Sequence, residues 1–60
     1  MATFYIYKDS AGGYRWRLKS SNGRIIADSG ESYVEKSGAK WGEEWVRVNA
    51  KSANEFDLTE

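Results

Sequence analysis

The 60-residue chain contains no cysteine and no histidine. The absence of cysteine excludes disulfides and thiol nucleophiles, and the absence of both residues excludes zinc fingers and imidazole acid–base chemistry. A chain of this length buries only about 60% of its unfolded surface, so domains of this size often depend on a disulfide, a metal or a partner chain. Association with a partner is the route that the composition leaves open, and we expect no cofactor.

The chain also lacks an excess of charge of either sign and any long apolar run. Nine basic residues balance nine acidic ones, so the net charge is zero, whereas a dedicated nucleic-acid-binding domain is usually basic. No apolar run approaches the roughly 18 residues of a membrane span. The first four residues show no basic segment followed by an apolar one, as a secretory signal would. We therefore expect a cytoplasmic protein with no membrane partner.

In place of these features, the first half of the chain has a clear two-residue alternation. Residues 3–8 (TFYIYK) are β-branched and aromatic types that are typical of strands, and the two glycines after them predict a bulged hairpin loop. Residues 14–20 alternate apolar and basic side chains. Asn22-Gly23 favours a type I′ turn, because both residues tolerate positive φ, and residues 24–29 form the next strand. The prediction is an antiparallel three-stranded meander.

From about Val34 the apolar period lengthens from 2 to 3.6, which predicts an amphipathic helix. We expect it to end near Asn49 and Ala50, since asparagine accepts a left-handed cap. One face carries an apolar stripe that smaller residues extend along one side: Trp41, Trp45 and Val48, then Gly42, Val46 and Ala39. The opposite arc is charged: Lys36, Lys40, Glu43, Glu44 and Arg47. Glu43 and Arg47 have the spacing of a helical ion pair.

The two tryptophans of the helix exceed what a three-stranded sheet requires to cover one face. Each can bury on the order of 200 Å², and tryptophan is enriched at the desolvated centre of protein contacts. Three interpretations of Trp41, Trp45 and Val48 stay open. They form the core of the single chain, the interface of a dimer, or the wall of a small-molecule pocket.

Five side chains on one side of the first two strands define a second feature, which we call the basic-aromatic face: Tyr5, Tyr7, Arg15, Arg17 and Lys19. Tyrosines interleaved with cations on a sheet are typical of proteins that hold single-stranded nucleic acid by base stacking and phosphate attraction. Two structural interpretations compete with this one: a solvated face on which tyrosines cover the stems of basic chains, or a face buried by a second subunit. The aromatic and glycine motif of RNA-binding sheets is absent, which favours the structural interpretations.

Carboxylates are the remaining candidates for chemistry: Asp28, Glu31, Glu43 and Glu44. Acid–base work by a carboxylate pair requires a cleft that separates two environments, and a unit of this size rarely has room for one. The segment from Asp28 to Glu31 has too few ligands for a Ca²⁺ loop and is typical of a turn. We predict no catalytic residue and no metal ligand.

Four segments between about positions 4 and 50 resemble the YegP-like family of small uncharacterised proteins, a domain of unknown function (1508). They are YKD at 7–9, GYRWRL at 13–18, NGRII at 22–26, and Tyr33. The resemblance implies a β-β-β-α unit that is incomplete alone and pairs as a homodimer, and it implies no activity. The chain departs from the family at Glu43, where an apolar residue is usual, and at Trp41 and Trp45, where small or polar residues are. These departures predict an apolar helix face that is rotated or widened.

The sequence therefore predicts an α+β fold with a single domain over residues 1–50 and a tail over residues 51–60. In the tail, Phe56 and Leu58 alternate with Asp57, which leaves a short closing strand or a frayed end as alternatives. The leading hypothesis is a non-enzymatic structural or interaction module that acts as a homodimer. The alternative is a weak single-stranded nucleic-acid binder, and the third is a small-ligand or enzymatic site at the subunit boundary.

Overall fold

The computed structural model describes residues 1–59 of the chain. Its elements are three strands, a helix and a final turn of 3₁₀ helix: β1 (Thr3–Lys8), β2 (Tyr14–Lys19), β3 (Ile25–Asp28), α1 (Lys36–Asn49) and Ala50–Ser52. The strands form one antiparallel sheet in the order β1-β2-β3. The predicted β-β-β-α architecture is confirmed, and residues 53–59 form neither helix nor strand.

The pairing of β1 with β2 divides their side chains between two faces of the sheet. Phe4 lies opposite Leu18 and Ile6 lies opposite Trp16. The residues between them in sequence therefore lie on the other face, because side chains alternate along a strand. The rings of Phe4 and Trp16 meet edge to face, with centroids 5.7 Å apart and an interplanar angle of 74°. This is the face that α1 covers.

Both hairpin loops close in the same way, by a turn and a glycine with positive φ. In the first, the Gly12 amide donates to the Asp9 carbonyl at 3.0 Å, and Gly12 has φ 89°. In the second, the Gly23 amide donates to the Ser20 carbonyl at 2.9 Å, and Gly23 has φ 88°. This is the geometry of a three-residue loop with a glycine bulge.

The bulged loop confirms the prediction for the first hairpin and corrects the second. A type I′ turn at Asn22-Gly23 requires positive φ at both residues, but no residue other than glycine has positive φ within residues 1–59. The type I′ prediction is therefore wrong. A second irregularity lies close to this loop, in the pairing of β2 with β3. Leu18 pairs with Ala27, but the next residue, Lys19, pairs with Ile25. Ile26 is the additional residue of a bulge in β3, and β3 is shorter than predicted.

After β3 the chain leaves the sheet and then rejoins β2 near its beginning. The Tyr33 amide donates to the Tyr14 carbonyl and the Tyr14 amide donates to the Tyr33 carbonyl, both at 2.8 Å. This pair of hydrogen bonds anchors Tyr33 just before the helix. The helix begins two residues later than predicted, at Lys36, because Glu35 is still extended.

The end of α1 confirms one part of its prediction and corrects another. The helix ends at Asn49, as predicted. The left-handed cap is absent, because Asn49 has φ −103° and Ala50 has φ −62°. The chain instead tightens into the 3₁₀ turn. No helix within residues 1–59 is long and apolar enough to cross a membrane.

Candidate functional site

Helix α1 meets the sheet through its smallest residues. Ala39 and Gly42 are buried and Val46 is half-buried. A Cβ atom at position 42 would lie 2.5 Å from the Tyr33 hydroxyl oxygen and 3.3 Å from Nε1 of Trp16. Cβ atoms in folded proteins essentially never show the first of these separations, and the second is tight, so glycine at position 42 is what permits the close approach of helix and sheet.

The large apolar residues of α1 point the other way. Trp41 is 65% exposed, Trp45 is 55% exposed and Val48 is 66% exposed. At 3.6 residues per turn, these three side chains lie roughly 130° around the helix axis from the buried small residues. We call them the outward stripe. The interpretation that placed them in the core of the single chain is wrong, because that core accepts alanine and glycine at the helix surface and leaves no room for indole rings.

The predicted ion pair between Glu43 and Arg47 forms, but not on the exposed arc where it was expected. The Glu43 carboxylate accepts hydrogen bonds from Arg47 Nη2 at 2.6 Å and from Arg47 Nε at 2.9 Å. Glu43 is only 8% exposed, so its assignment to a solvated arc is wrong. The guanidinium carbon of Arg47 lies 4.9 Å from the ring centroid of Phe4. Glu43 is buried because the stacked Arg47 covers it and neutralises its charge.

The basic-aromatic face assembles as the alternation predicted. Across β1 and β2, Tyr5 lies opposite Arg17 and Tyr7 lies opposite Arg15. Two of the cations lean diagonally over a ring. The guanidinium carbon of Arg17 lies 4.1 Å from the Tyr7 centroid, and Nζ of Lys19 lies 5.5 Å from the Tyr5 centroid. These are distances for cation–π attraction. The face is therefore layered, with tyrosine rings against the sheet and positive charges above them.

Arg15 has a different role from its two neighbours, because its charge is engaged by Asp9. Nε of Arg15 donates to the Asp9 carboxylate at 2.8 Å. The same carboxylate accepts from the Ala11 and Gly13 amides and from the Ser32 hydroxyl, at 2.9–3.0 Å. The Arg15 guanidinium is the largest of the causes that hold the pKa of the Asp9 carboxyl well below its usual range, followed by the Gly13 amide and the Ser32 hydroxyl. Asp9 thus ties the first hairpin to the segment before the helix.

The sequence patterns predicted no structural role for two residues that connect parts of the fold, Asp9 and Tyr33. A pattern that could have identified Asp9 is present: an aspartate at the start of a bulged loop, with glycine three and four residues later, is typical of a carboxylate that accepts hydrogen bonds from loop amides. Tyr33 carries no such signal beyond the family resemblance. Its ring packs against α1, and burial raises the pKa of the Tyr33 phenol, with a further contribution from the Glu31 carboxylate.

The carboxylates considered for catalysis stay in separate surroundings. Asp28 accepts a hydrogen bond from the Gly30 amide at 3.0 Å, Glu31 lies exposed in the connector, and Glu43 is held by Arg47. Nowhere among residues 1–59 do three acidic side chains come together in a way that would hold a metal ion. An open groove of about 370 Å³ lies at the end of the helix, between Trp45, Val46 and Ala53.

The amino-acid sequence matches one family model along most of its length. Residues 9–57 match the model described as a domain of unknown function, DUF1508. The chain belongs to the DUF1508 family. The family resemblance drawn from the sequence motifs is thereby confirmed, and the family is uncharacterised.

Relatives of this DUF1508 protein support both the family and the fold. The chain is 50% identical over 50 residues to a UPF0339 protein of Treponema denticola, which covers 83% of this chain and 84% of that protein. It is similar to an NMR solution structure of a protein from Haloferax volcanii, with a TM-score of 0.87 and 47% identity over 95% of both chains. An NMR structure of protein ATU0232 from Agrobacterium tumefaciens has a TM-score of 0.74 and 39% identity, covering 97% of this chain and 92% of that one.

The structure gives the surroundings of the three residues at which the resemblance implies a departure. Trp41 and Trp45 lie exposed on the outward stripe. Glu43 lies on the inward side, but Arg47 covers its carboxylate. Small residues contact the sheet, and large ones are left at the surface.

Proposed function

We propose that this DUF1508 protein is a non-enzymatic interaction module that acts as a homodimer, with the outward stripe at the centre of its interface. The observation that carries the proposal is the exposure of Trp41, Trp45 and Val48 on one side of a single helix, turned away from the sheet. Contiguous apolar patches on soluble proteins mark interaction sites. Tryptophan is among the residue types enriched in the side chains that dominate binding energy.

The small core of the single chain supports the same proposal. Among residues 1–59, the hydrophobic side chains that are buried belong to Trp16 and Ala39, and no large side chain is fully buried. A domain of this size often draws on a further source of stability, and the sequence offers neither a disulfide nor a histidine or cysteine metal site. Apolar area buried against a partner would supply it.

A second copy of the chain fits the outward stripe in charge and symmetry. The chain has no net charge, and Lys40 and Glu44 beside the stripe carry opposite signs. No excess of one charge at the stripe opposes self-association. A symmetric contact in which both subunits use the same patch is the commonest form of self-association.

The area available is consistent with a stable dimer only if the interface extends beyond the stripe. The exposed parts of Trp41, Trp45 and Val48 amount to roughly 400 Å² per subunit, against about 800 Å² per partner in a standard interface. Other large apolar residues are exposed, and two of them, Phe56 and Leu58, follow the helix in the chain and can contribute the remainder. We infer that the interface centres on α1 and includes part of this second set.

Sedimentation equilibrium tests the proposal directly. We expect the wild-type chain to show the dimer mass from micromolar to near-millimolar concentration, and the double variant Trp41→Ser/Trp45→Ser to show the monomer mass. The stripe lies on the exposed side of α1, so the double variant should keep its far-UV circular dichroism. Val34→Ser is the matched control, because Val34 is exposed but lies off the stripe. It should remain a dimer.

Two results would overturn the proposal. One is a wild-type monomer at every concentration. The other is a folded double variant that dimerises as tightly as the wild type. Tryptophan emission provides a second readout, since Trp41 and Trp45 would become less accessible to a soluble quencher on dimerisation, whereas Trp16 is already buried.

A further inference from the structure

We propose that the basic-aromatic face binds single-stranded nucleic acid, with Arg17 and Lys19 contacting phosphates and Tyr5 and Tyr7 providing the stacking surface. This inference does not rest on dimer formation. Helix α1 covers the opposite face of the sheet, so the basic-aromatic face is free in the single chain. The outward stripe is on the far side of α1.

The charges of Arg17 and Lys19 are available to a ligand. Neither residue forms an ion pair with any residue from 1 to 59, whereas Arg15 is paired with Asp9 and Arg47 with Glu43. Asp28 lies opposite Arg17 in the ladder and therefore shares the face, but its carboxylate accepts a hydrogen bond from the Gly30 amide and forms no ion pair with Arg17. The two unpaired cations outnumber this one carboxylate, which favours an anionic ligand.

The tyrosines beneath the cations favour a ligand that also has flat rings. Arg17 already lies over Tyr7 at 4.1 Å, so a base that stacks on the outer side of the guanidinium would extend an existing stack. Tyr5 is half exposed, and its uncovered area can accept a base directly. An acidic peptide would use the two charges but not the rings.

The tyrosine rings, and not the spacing of the cations, favour a single strand over a duplex. Arg17 and Lys19 are two residues apart on β2, which places their stems roughly 7 Å apart, and successive phosphates of a single strand or of a duplex can both match this distance. In a duplex the bases are paired and stacked inside the double helix, so their flat faces cannot reach Tyr5 or Tyr7. A single strand can splay its bases onto the sheet.

Fluorescence anisotropy with a short labelled oligothymidylate tests the proposal. We expect saturable binding at low salt. If two phosphates are neutralised, the affinity should fall about sevenfold between about 50 and about 200 mM salt. Absence of saturable binding, or binding that is insensitive to salt, would overturn the proposal.

A matched pair of charge variants locates the site. Arg17→Gln/Lys19→Gln and Lys36→Gln/Lys40→Gln each remove two positive charges, but the second pair is exposed on α1. We expect the first variant to bind at least ten times more weakly and the second to bind within twofold of wild type. Equal losses in both variants would mean a general charge effect and would overturn the site.

Two further measurements separate nucleic acid from other anions and guard against misfolding. Unlabelled oligothymidylate should displace the probe, and polyglutamate of equal charge should displace it far less well. Equal displacement would overturn the nucleic-acid assignment.

Tyr5→Ser keeps both cations and should weaken binding at least fivefold by removing a stacking surface. It tests the face even if the charge variant does not fold, and unchanged binding would contradict the proposal.

Discussion

The hydroxyl oxygen of Tyr33 occupies the space that a side chain on residue 42 would need. A Cβ atom at Gly42 would lie 2.5 Å from that oxygen and 3.2 Å from Cζ of the same ring. The ring is held in place by two backbone hydrogen bonds between Tyr33 and Tyr14. This contact sets the distance between helix and sheet, and so decides which side of α1 is buried.

Gly42→Ala should therefore destabilise the protein although alanine is the better helix former. The helical preference is worth about 1 kcal/mol in favour of alanine, whereas forcing a methyl group into a packed site costs about 1–3 kcal/mol. We expect a lower midpoint in urea. Ser37→Ala, on the exposed side of the same helix, should not lower it. Tyr33→Phe removes the nearest atom, so the alanine variant should lose less stability in that background. Equal losses in both backgrounds would contradict the contact.

Asp9 should make stability depend on acid pH. Its pKa is lowered in the folded state, mainly by Arg15, so its contribution is fully present above the unfolded pKa of about 3.9. That contribution is lost as the pH falls below this value towards the folded-state pKa. We expect the melting temperature of wild type to exceed that of Asp9→Asn at neutral pH, and the difference to shrink below about pH 4. In an Arg15→Gln background, the difference in melting temperature between the chain with Asp9 and the Asp9→Asn variant should be smaller at neutral pH and depend less on pH. A gap that stayed constant down to strong acid would refute this assignment.

Glu43 and Arg47 should respond unequally to substitution. Arg47→Ala leaves a buried carboxylate without its donor and uncovers Phe4, which should cost about 1–3 kcal/mol of unfolding free energy. Glu43→Leu removes the buried charge and leaves an arginine that is mostly exposed, so we expect a change within about 1 kcal/mol of zero. Lys40→Ala is the control for loss of a helix cation. Urea unfolding of the three variants measures these free energies. Equal losses of unfolding free energy at positions 43 and 47 would contradict the prediction that an unpaired buried carboxylate is the main cost.

The strand pattern could be predicted because its determinants are local. Side chains alternate with a period of 2 and the loop between β1 and β2 is short, so the register that places Tyr7 opposite Arg15 follows from neighbouring residues. The same reasoning predicted the type I′ turn wrongly. Asn-Gly fits that turn by propensity, but the chain here uses a longer loop in which only Gly23 requires positive φ.

The helix shows the opposite limit. Periodicity identified Trp41, Trp45 and Val48 as one stripe and Ala39, Gly42 and Val46 as its neighbours, but it contains no information on which set contacts the sheet. Tyr33 and Trp16 already fill the space above β2, so only small residues can approach.

The burial of Glu43 also depends on a residue that is distant in sequence, because Arg47 must stack on Phe4 in β1 to cover the carboxylate.

The sequence by itself determined the order of elements, the faces of the first two strands, the end of the helix and the family. These follow from interactions between residues close together in the chain. Only the tertiary structure decided that the tryptophans face outward, that Glu43 is buried and that Asp9 joins the hairpin to the segment before the helix. Each of these depends on the volume and charge that residues far apart in sequence bring to one place.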